Sequence, residues 1–443
     1  MRLYLVSTGA GAIEPCGCVK DMLGGIDHFA ALVTSEAGSS PRRLVLGAGP
    51  MLFTDPTLDP KKKTQDEWKA GAFYDVLHAS GLAAWTPGTN DFALGKDWLE
   101  NLSGSADVLV AANLEGIRAK PARIVDVGGE RVGIAGVSLP RFASGDAPAL
   151  TIGDAKEGLE RASKWLTEQG ARIRVALLAM PRGDALRLAE KVPGFHVVLV
   201  GKAIEHGDTN DPPTPPVLVG ETLVVEAPNH LQAVASVDLY VKDGSYSFAD
   251  GSGLADEERR QSLLLRIADL KSRIDSGKGT GSDLAARRRD LERSQTELAE
   301  LSKERPAPQG SFFRYRYLEI REKLGSEPRA AARLADYYRR VNEHNREAFK
   351  DVLPPPVPPG ASGYVGVETC TSCHQEERTF WDRTAHAKAY PTLSRQNKQF
   401  NLECVGCHVT GYDAPGGSTV AHVEKLENVQ CEVCRGCPFI MAV

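Results

Sequence analysis

The sequence predicts an α/β layered N-terminal domain, a helical hairpin spacer, and a small, mostly α C-terminal domain with few regular elements. Three observations predict it. Short β-branched runs alternate with helical stretches up to about residue 250. Residues 255–304 then place leucine and isoleucine at helical spacing among charged residues. Beyond a proline-rich run, seven of the nine cysteines crowd into 361–443.

In the first part, strands are expected at 2–7, 43–47, 83–86, 107–113, 131–138, 173–180, 196–201, 223–228 and 233–241. Helices are expected at 155–170 and 183–192. The next segment spaces Leu263, Ile267, Leu270 and Ile274 by four, three and four, and Leu284, Leu291 and Leu298 by sevens. The glycines of 277–281 separate the two series, so an antiparallel coiled-coil hairpin is predicted. Residues 311–320 alternate like a strand, and 327–349 read as a helix with Pro328 in its first turn. "LPPPVPPG" at 353–360 reads as a stiff linker. The expected domains are therefore 1–250, a 251–352 spacer, the 353–360 linker and 361–443.

A chain of 443 residues has room for about two to four domains. A net charge of -5 gives no reason to expect nucleic acid. No run is long and apolar enough to span a membrane. No secretory signal is visible in "MRLYLVSTG", which by itself points to the cytoplasm.

The cysteine pattern carries the chemistry. "CTSCH" spans Cys370 to His374 and "CVGCH" spans Cys404 to His408. Two thiols at CxxC spacing reach the two vinyl groups of one haem, and the next histidine can turn onto its iron. A Cys₄ zinc ribbon would use the same CxxC pairs but leaves both adjacent histidines as coincidence. His374 and His408 are the proximal candidates, Cys370, Cys373, Cys404 and Cys407 the thioether positions. His386 and His422 are candidates for the far axial position, with His344 in reserve. A third pair, Cys431 and Cys434, is followed by Arg435. A guanidinium stays protonated and has no lone pair for iron, so this motif lacks its ligand. Cys16 and Cys18 form a separate redox or soft-metal candidate pair.

"CTSCHQEERTFWDRTAHAKAYPTL", "CVGCHVTGYDAPGG" and "LENVQCEVC" resemble the tetrahaem cytochrome c family of hydroxylamine and nitrogen-oxide electron transfer. The resemblance covers about the last eighty residues. It implies haem c, closely stacked and mostly bis-His, with redox partner proteins in the periplasm; the motifs give two copies, or three if Cys431 and Cys434 accept a haem without the proximal imidazole. It carries Cys370, Cys373, His374, Cys404, Cys407 and His408 over as haem positions and His386 as an axial ligand. The family continues past its third CxxC with His-Gly-Pro-Gly, whereas this chain reads "RGCPFIMAV". A truncated end is expected from that departure, and a true start upstream of Met1 from the missing export signal.

"LVSTGAGAIEPCGC", "LVLGAGPMLF", "PGTNDFALG", "VLVAANLE", "RVGIAGVS" and "PGFHVVLVGKAIE" resemble, in order, the calcineurin-like metallophosphoesterase fold of the 5'-nucleotidase type. That resemblance implies two metals activating water, held by Asp, His and Asn. At the matching positions this chain has "STGAG", Gly49-Pro50, Gly88-Thr89-Asn90 before Asp91, Ala179, and Gly201-Lys202-Ala203-Ile204. Asn113 alone matches. No catalytic residue is expected, and the domain is expected to be a scaffold. Three functions follow: a periplasmic electron carrier, favoured by the two CxxCH motifs; a metal-dependent phosphoesterase with an accessory haem domain; and a zinc-binding interaction module.

Overall fold

The computed structural model describes residues 1–15, 22–103, 107–142, 149–204, 210–277, 280–303 and 305–435. The chain divides into two compact units, Met1–Leu58 with Phe73–Glu327, and Asp59–Ala72 with Pro328–Val443.

The first unit begins β1 (Arg2–Ser7), α1 (Ile26–Ser35) and β2 (Arg43–Gly49). Helix α2 (Lys63–Ala79), whose last residues belong to this unit, leads to β3 (Leu82–Pro87) and α3 (Lys96–Ser103). Then come β4 (Leu114–Glu115), β5 (Ala122–Val127), β6 (Glu130–Ser138), β7 (Thr151–Ile152), α4 (Ala155–Glu168), β8 (Ile173–Ala179), α5 (Arg182–Lys191) and β9 (Val197–Val200). The unit closes with β10 (Val217–Val219), β11 (Thr222–Val225), β12 (Ala233–Tyr240), β13 (Ala249–Asp250), α6 (Glu257–Asp275), α7 (Gly281–Leu301) and β14 (Phe312–Glu319).

Two six-stranded sheets form, ordered β13-β14-β12-β1-β2-β3 and β10-β11-β9-β8-β6-β5. β1, β2 and β3 run parallel, as do β6, β8, β9 and β11. Strand alternation decides which core each side chain joins. Val132, Ile134, Val175, Leu177, Val197 and Leu199 point into one cluster with Leu3, Leu5 and Leu46 of the other sheet. Their neighbours Ala135, Val137, Ala176, Leu178, Val198 and Val200 pack on Leu159, Ala162 and Leu166 of α4 and Leu188 of α5. Strands buried on both faces read as the unbroken apolar runs seen in the sequence. Asp154 starts α4 by accepting the Glu157 N–H at 2.8 Å.

The predicted strands recur within a few residues, with one exception. Residues 107–113 form only single bridges, Leu109 to Trp85 and Val110 to Lys120. The hairpin is present. Arg259 binds Glu297 at 2.6 Å and Arg266 reaches Asp290 at 3.4 Å, a descending register that makes α6 and α7 antiparallel. Thr280 and Asp283 form a capping box at the start of α7.

The boundary predicted at residue 250 is corrected. β14 pairs antiparallel with β12 along its length, from Ala233–Glu319 to Tyr240–Phe312. The hairpin is thus an insertion before a sheet strand, not a spacer after the domain. The linker at 353–360 is corrected too. Gly416 N donates to Pro355 O at 2.8 Å, and Thr419 Oγ1 to Val352 O at 2.8 Å. The prolines lie against the second unit's own loops.

The second unit contains the start of α2, then α8 (Pro328–Ala348), α9 (Val367–Thr371), α10 (Gln375–Trp381), α11 (Ala389–Ser394), α12 (Val405–His408) and α13 (Cys431–Arg435). One apolar cluster gathers Tyr390, Val405, Val409 and Val420 with partly buried neighbours, and α8 buries Leu334, Tyr337, Tyr338 and Val341. Buried amides add to this. Gln65 Nε2 donates to Asn401 Oδ1 at 3.2 Å, while Gln65 Oε1 accepts from Asn345 Nδ2 at 3.1 Å and Leu402 N at 3.0 Å. No described helix is long and apolar enough to cross a membrane.

Candidate functional site

In the first unit, the carboxyl ends of the parallel strands border a cavity of about 580 Å³. Ligands of open α/β sheets bind at such ends. Glycine brings the two sheets together there. A Cβ on Gly201 would stand 2.0 Å from Ala48 O and 2.4 Å from Gly49 N. Ser7 Oγ donates to Val200 O at 2.6 Å and Thr8 Oγ1 to Lys202 O at 2.9 Å, so both hydroxyls close the seam.

Each residue matched in sequence to a metal-ligand position has a structural task or no ligating atom. Asn113 Nδ2 donates to Ser138 O at 2.7 Å, and its Oδ1 accepts Ser138 N at 2.9 Å. Asn90 Nδ2 donates to Phe53 O and Thr54 O. Asp91 is fully buried and accepts three backbone N–H groups, from Met51 at 2.8 Å, Leu52 at 2.9 Å and Gly88 at 2.8 Å. Burial pushes its carboxyl up, to about 8, against the pull of those donors. Asp91 therefore ties the loop after β2 to the loop after β3. Asp91→Ala is expected to cost about 3 kcal/mol, because three buried N–H groups lose their acceptor; chemical denaturation of the full chain checks it.

The cavity lining carries Arg141, Arg182 and Lys202 beside Asp211. Lys202 Nζ lies 2.9 Å from Asp211 Oδ1 and 3.8 Å from Glu226 Oε1. Arg182 reaches Glu226 at 3.4 Å and donates to Pro215 O at 2.7 Å. Burial pushes the Glu226 carboxyl up, and Arg182 and Lys202 pull it back. Among the described residues, no group of three His, Cys, Asp or Glu side chains is placed to hold a metal ion.

The cysteine candidates gather in the second unit. Cys370 lies in α9, and Cys373 follows in the turn before α10. Cys404 caps α12, which contains Cys407 and His408. Among the described residues none of the four forms a disulfide, and Cys373 and Cys407 are exposed. Cysteine is among the most buried residue types, so exposed free thiols at CxxC spacing fit a covalent attachment better than packing.

His408 is already aimed. Its Nδ1 lies 2.7 Å from Ala389 O. A carbonyl only accepts, so Nδ1 carries the proton and Nε2 is left as a lone-pair ligand, the arrangement of a metal-bound imidazole. His374 is half exposed, with Nδ1 3.7 Å from Glu377 Oε2. His386 is exposed, and its carbonyl accepts Val429 N at 3.2 Å. His422 is turned the other way: Nε2 lies 2.7 Å from Lys350 O, so that nitrogen is engaged. His344 sits edge-on to Trp68 at 5.2 Å. Cys16, Cys18 and the Cys434 side chain lie outside the described residues, and Cys431 is free and partly exposed.

Two features were not legible in sequence. Residues 426–432 form a spine between the motifs: Asn428 N donates to His408 O, Trp381 Nε1 to Val429 O, and Gln430 Oε1 accepts Val367 N at 2.6 Å. Second, the start of α2 brings Lys69 to Glu403, beside Cys404, at 2.6 Å. Asp66 on the same helix is pushed up to about 6, by burial and then by Glu403. An acid raised on folding stabilises below its unfolded value and loses that as pH rises through about 6. Asp66→Asn is therefore expected to stabilise the second unit by about 1 kcal/mol at pH 7 and not at pH 4, read from thermal melts at both values.

Residues 369–436 match the family described as cytochrome c554 and c-prime. Cytochrome c-554 of Nitrosomonas europaea is 35% identical over 89 residues, covering 16% of this chain and 38% of that protein. The 5'-nucleotidase precursor of Thermus thermophilus superposes with a TM-score of 0.52 at 18% identity, over 81% of this chain and 61% of that one. The calcineurin-like phosphoesterase YfkN of Bacillus subtilis gives 0.45 at 18%, over 55% and 86%. The chain thus spans about two fifths of its curated relative and three fifths of the first of these structures. Its C-terminal segment resembles the cytochrome c554 family, and its first unit has the α/β layered fold seen in 5'-nucleotidases.

Proposed function

We propose that the protein is a periplasmic electron carrier holding two haems c, through Cys370, Cys373 and His374 and through Cys404, Cys407 and His408. The observation that carries the reading is His408, whose Nδ1 is committed to Ala389 O while Nε2 is left to face a metal, directly after a CxxC whose cysteines are not in disulfides. When bound, haem iron supplies one-electron exchange between ferric and ferrous states. The chain's own residues attach the ring, orient the imidazoles and seat the second motif on the small core around Val405 and Val409. His386 is the far-ligand candidate; His422 is the weaker one because Lys350 O engages its Nε2. Cys431 and Cys434 are the remnant of a third site without its histidine.

The first unit serves in this reading as a scaffold rather than a hydrolase. A protonated Lys202 in the cavity repels a divalent cation, and Asn113 and Asp91 are consumed by backbone bonds. Metal-dependent phosphate release from a nucleotide would overturn that part.

The main test is intact mass with an optical spectrum, on the chain exported with haem-ligation machinery. Two haem masses and a reducible low-spin spectrum are expected. A bare or zinc-loaded chain would overturn the reading.

A further inference from the structure

Glu432 lies inside the incomplete third motif, and its side chain has a task that the motif's spacing does not suggest. The residue is 4% exposed. Both carboxylate oxygens accept backbone N–H groups, Oε1 from Val365 and Oε2 from Gly366, each at 3.0 Å. Those residues open α9, and Cys370 follows Gly366 by one helical turn. The Cys370 thiol is pushed up by burial and then by Glu432 and Cys431, which places the carboxylate within electrostatic reach of the first motif. Among the described residues, no basic side chain pairs with Glu432. The corresponding acid at the second motif, Glu403 beside Cys404, is neutralised by Lys69 at 2.6 Å.

We infer that Glu432 both positions the first CxxCH helix and holds down the reduction potential of the centre attached there, while the second centre lacks such an unbalanced buried charge. The inference rests on the haem reading above. The reason is electrostatic. A ferric centre carries one more positive charge than a ferrous one, so a buried anion nearby favours the oxidised state. The two centres would then differ in potential, with the first the donor and the second the acceptor within the chain. The broken motif would be kept for its acid rather than for its thiols.

The test is an optical redox titration of the full, exported chain. His408→Met identifies the second centre, because a thioether ligand raises that centre's midpoint selectively. Glu432→Gln is expected to raise the other midpoint and leave the marked one in place, with two haems retained by mass. Val433→Lys, at an exposed position on the same short helix, is expected to move the same midpoint upward and keeps the test decisive if Glu432→Gln loses a haem. Two haems with both midpoints unmoved in these variants, or movement of only the marked centre, would overturn the inference. A parent chain without haem would instead overturn the haem reading.

Discussion

Cys404→Ala with Cys407→Ala is expected to lower the haem count by one and to reduce the unfolding temperature of the second unit by roughly 10 °C or more. The reason is the size of the core. Tyr390, Val405, Val409 and Val420 are the buried residues of its cluster; Val405 lies inside the second motif and Val409 directly follows it. The cluster around the second motif is small, so in the proposed reading that part of the unit depends on a prosthetic group for much of its order. Mass spectrometry reads the first effect and a Soret-region melt the second. The same double substitution at Cys370 and Cys373 should also remove one haem. Substituting Cys431 should remove none, because Arg435 supplies no ligand there. Unchanged haem content in the Cys404 and Cys407 variant would mean that attachment occurs elsewhere.

Gly201→Ala is expected to destabilise the first unit by about 4 kcal/mol or more, measured by denaturant unfolding. The added methyl would meet Ala48 O at 2.0 Å and Gly49 N at 2.4 Å. Both are backbone atoms of β2 or its end, so no side-chain rotation relieves the overlap. The sheets would have to part at the seam closed by Ser7 and Thr8. Gly38→Ala is the control: nothing stands within 4 Å of its Cβ, and the change should be near neutral. Comparable losses in the two variants would show that close approach at Gly201 is not what matters.

Much of the fold was legible before any coordinates. The β-branched runs of β1, β2, β6 and β8 are buried on both faces and so advertise themselves without ambiguity. The sevens and fours of α6 and α7 marked a hairpin; Leu263, Ile267 and Leu270 are buried, and Leu284, Leu291 and Leu298 are half-buried. Other elements stayed hidden. β5 carries Arg123 and Asp126 at a sheet edge, and so lacks a clean alternation. Residues 107–113 looked like a strand, but their apolar side chains are buried as an extended segment with only single bridges.

The candidate site divides in the same way. Sequence alone supplied the attachment chemistry of the proposed reading, because CxxCH is a local pattern: two thiols and an imidazole within five residues need no distant partner to be recognised. It also carried the expectation that the metal ligands of the resembled fold are replaced, since proline and alanine side chains hold no donor atom and a lysine ammonium has no lone pair. Only tertiary structure decided the rest. That His408 presents Nε2 while His422 has that nitrogen on Lys350 O depends on carbonyls 19 and 72 residues away. That Asp91 is a structural acceptor depends on the ends of two strands meeting. That Glu432 accepts the N–H groups before the first motif, while Lys69 answers Glu403 beside the second, depends on segments 66 and 334 residues apart from their partners. Hydrogen bonds and charges act over ångströms in space, and the chain brings such partners together only by folding.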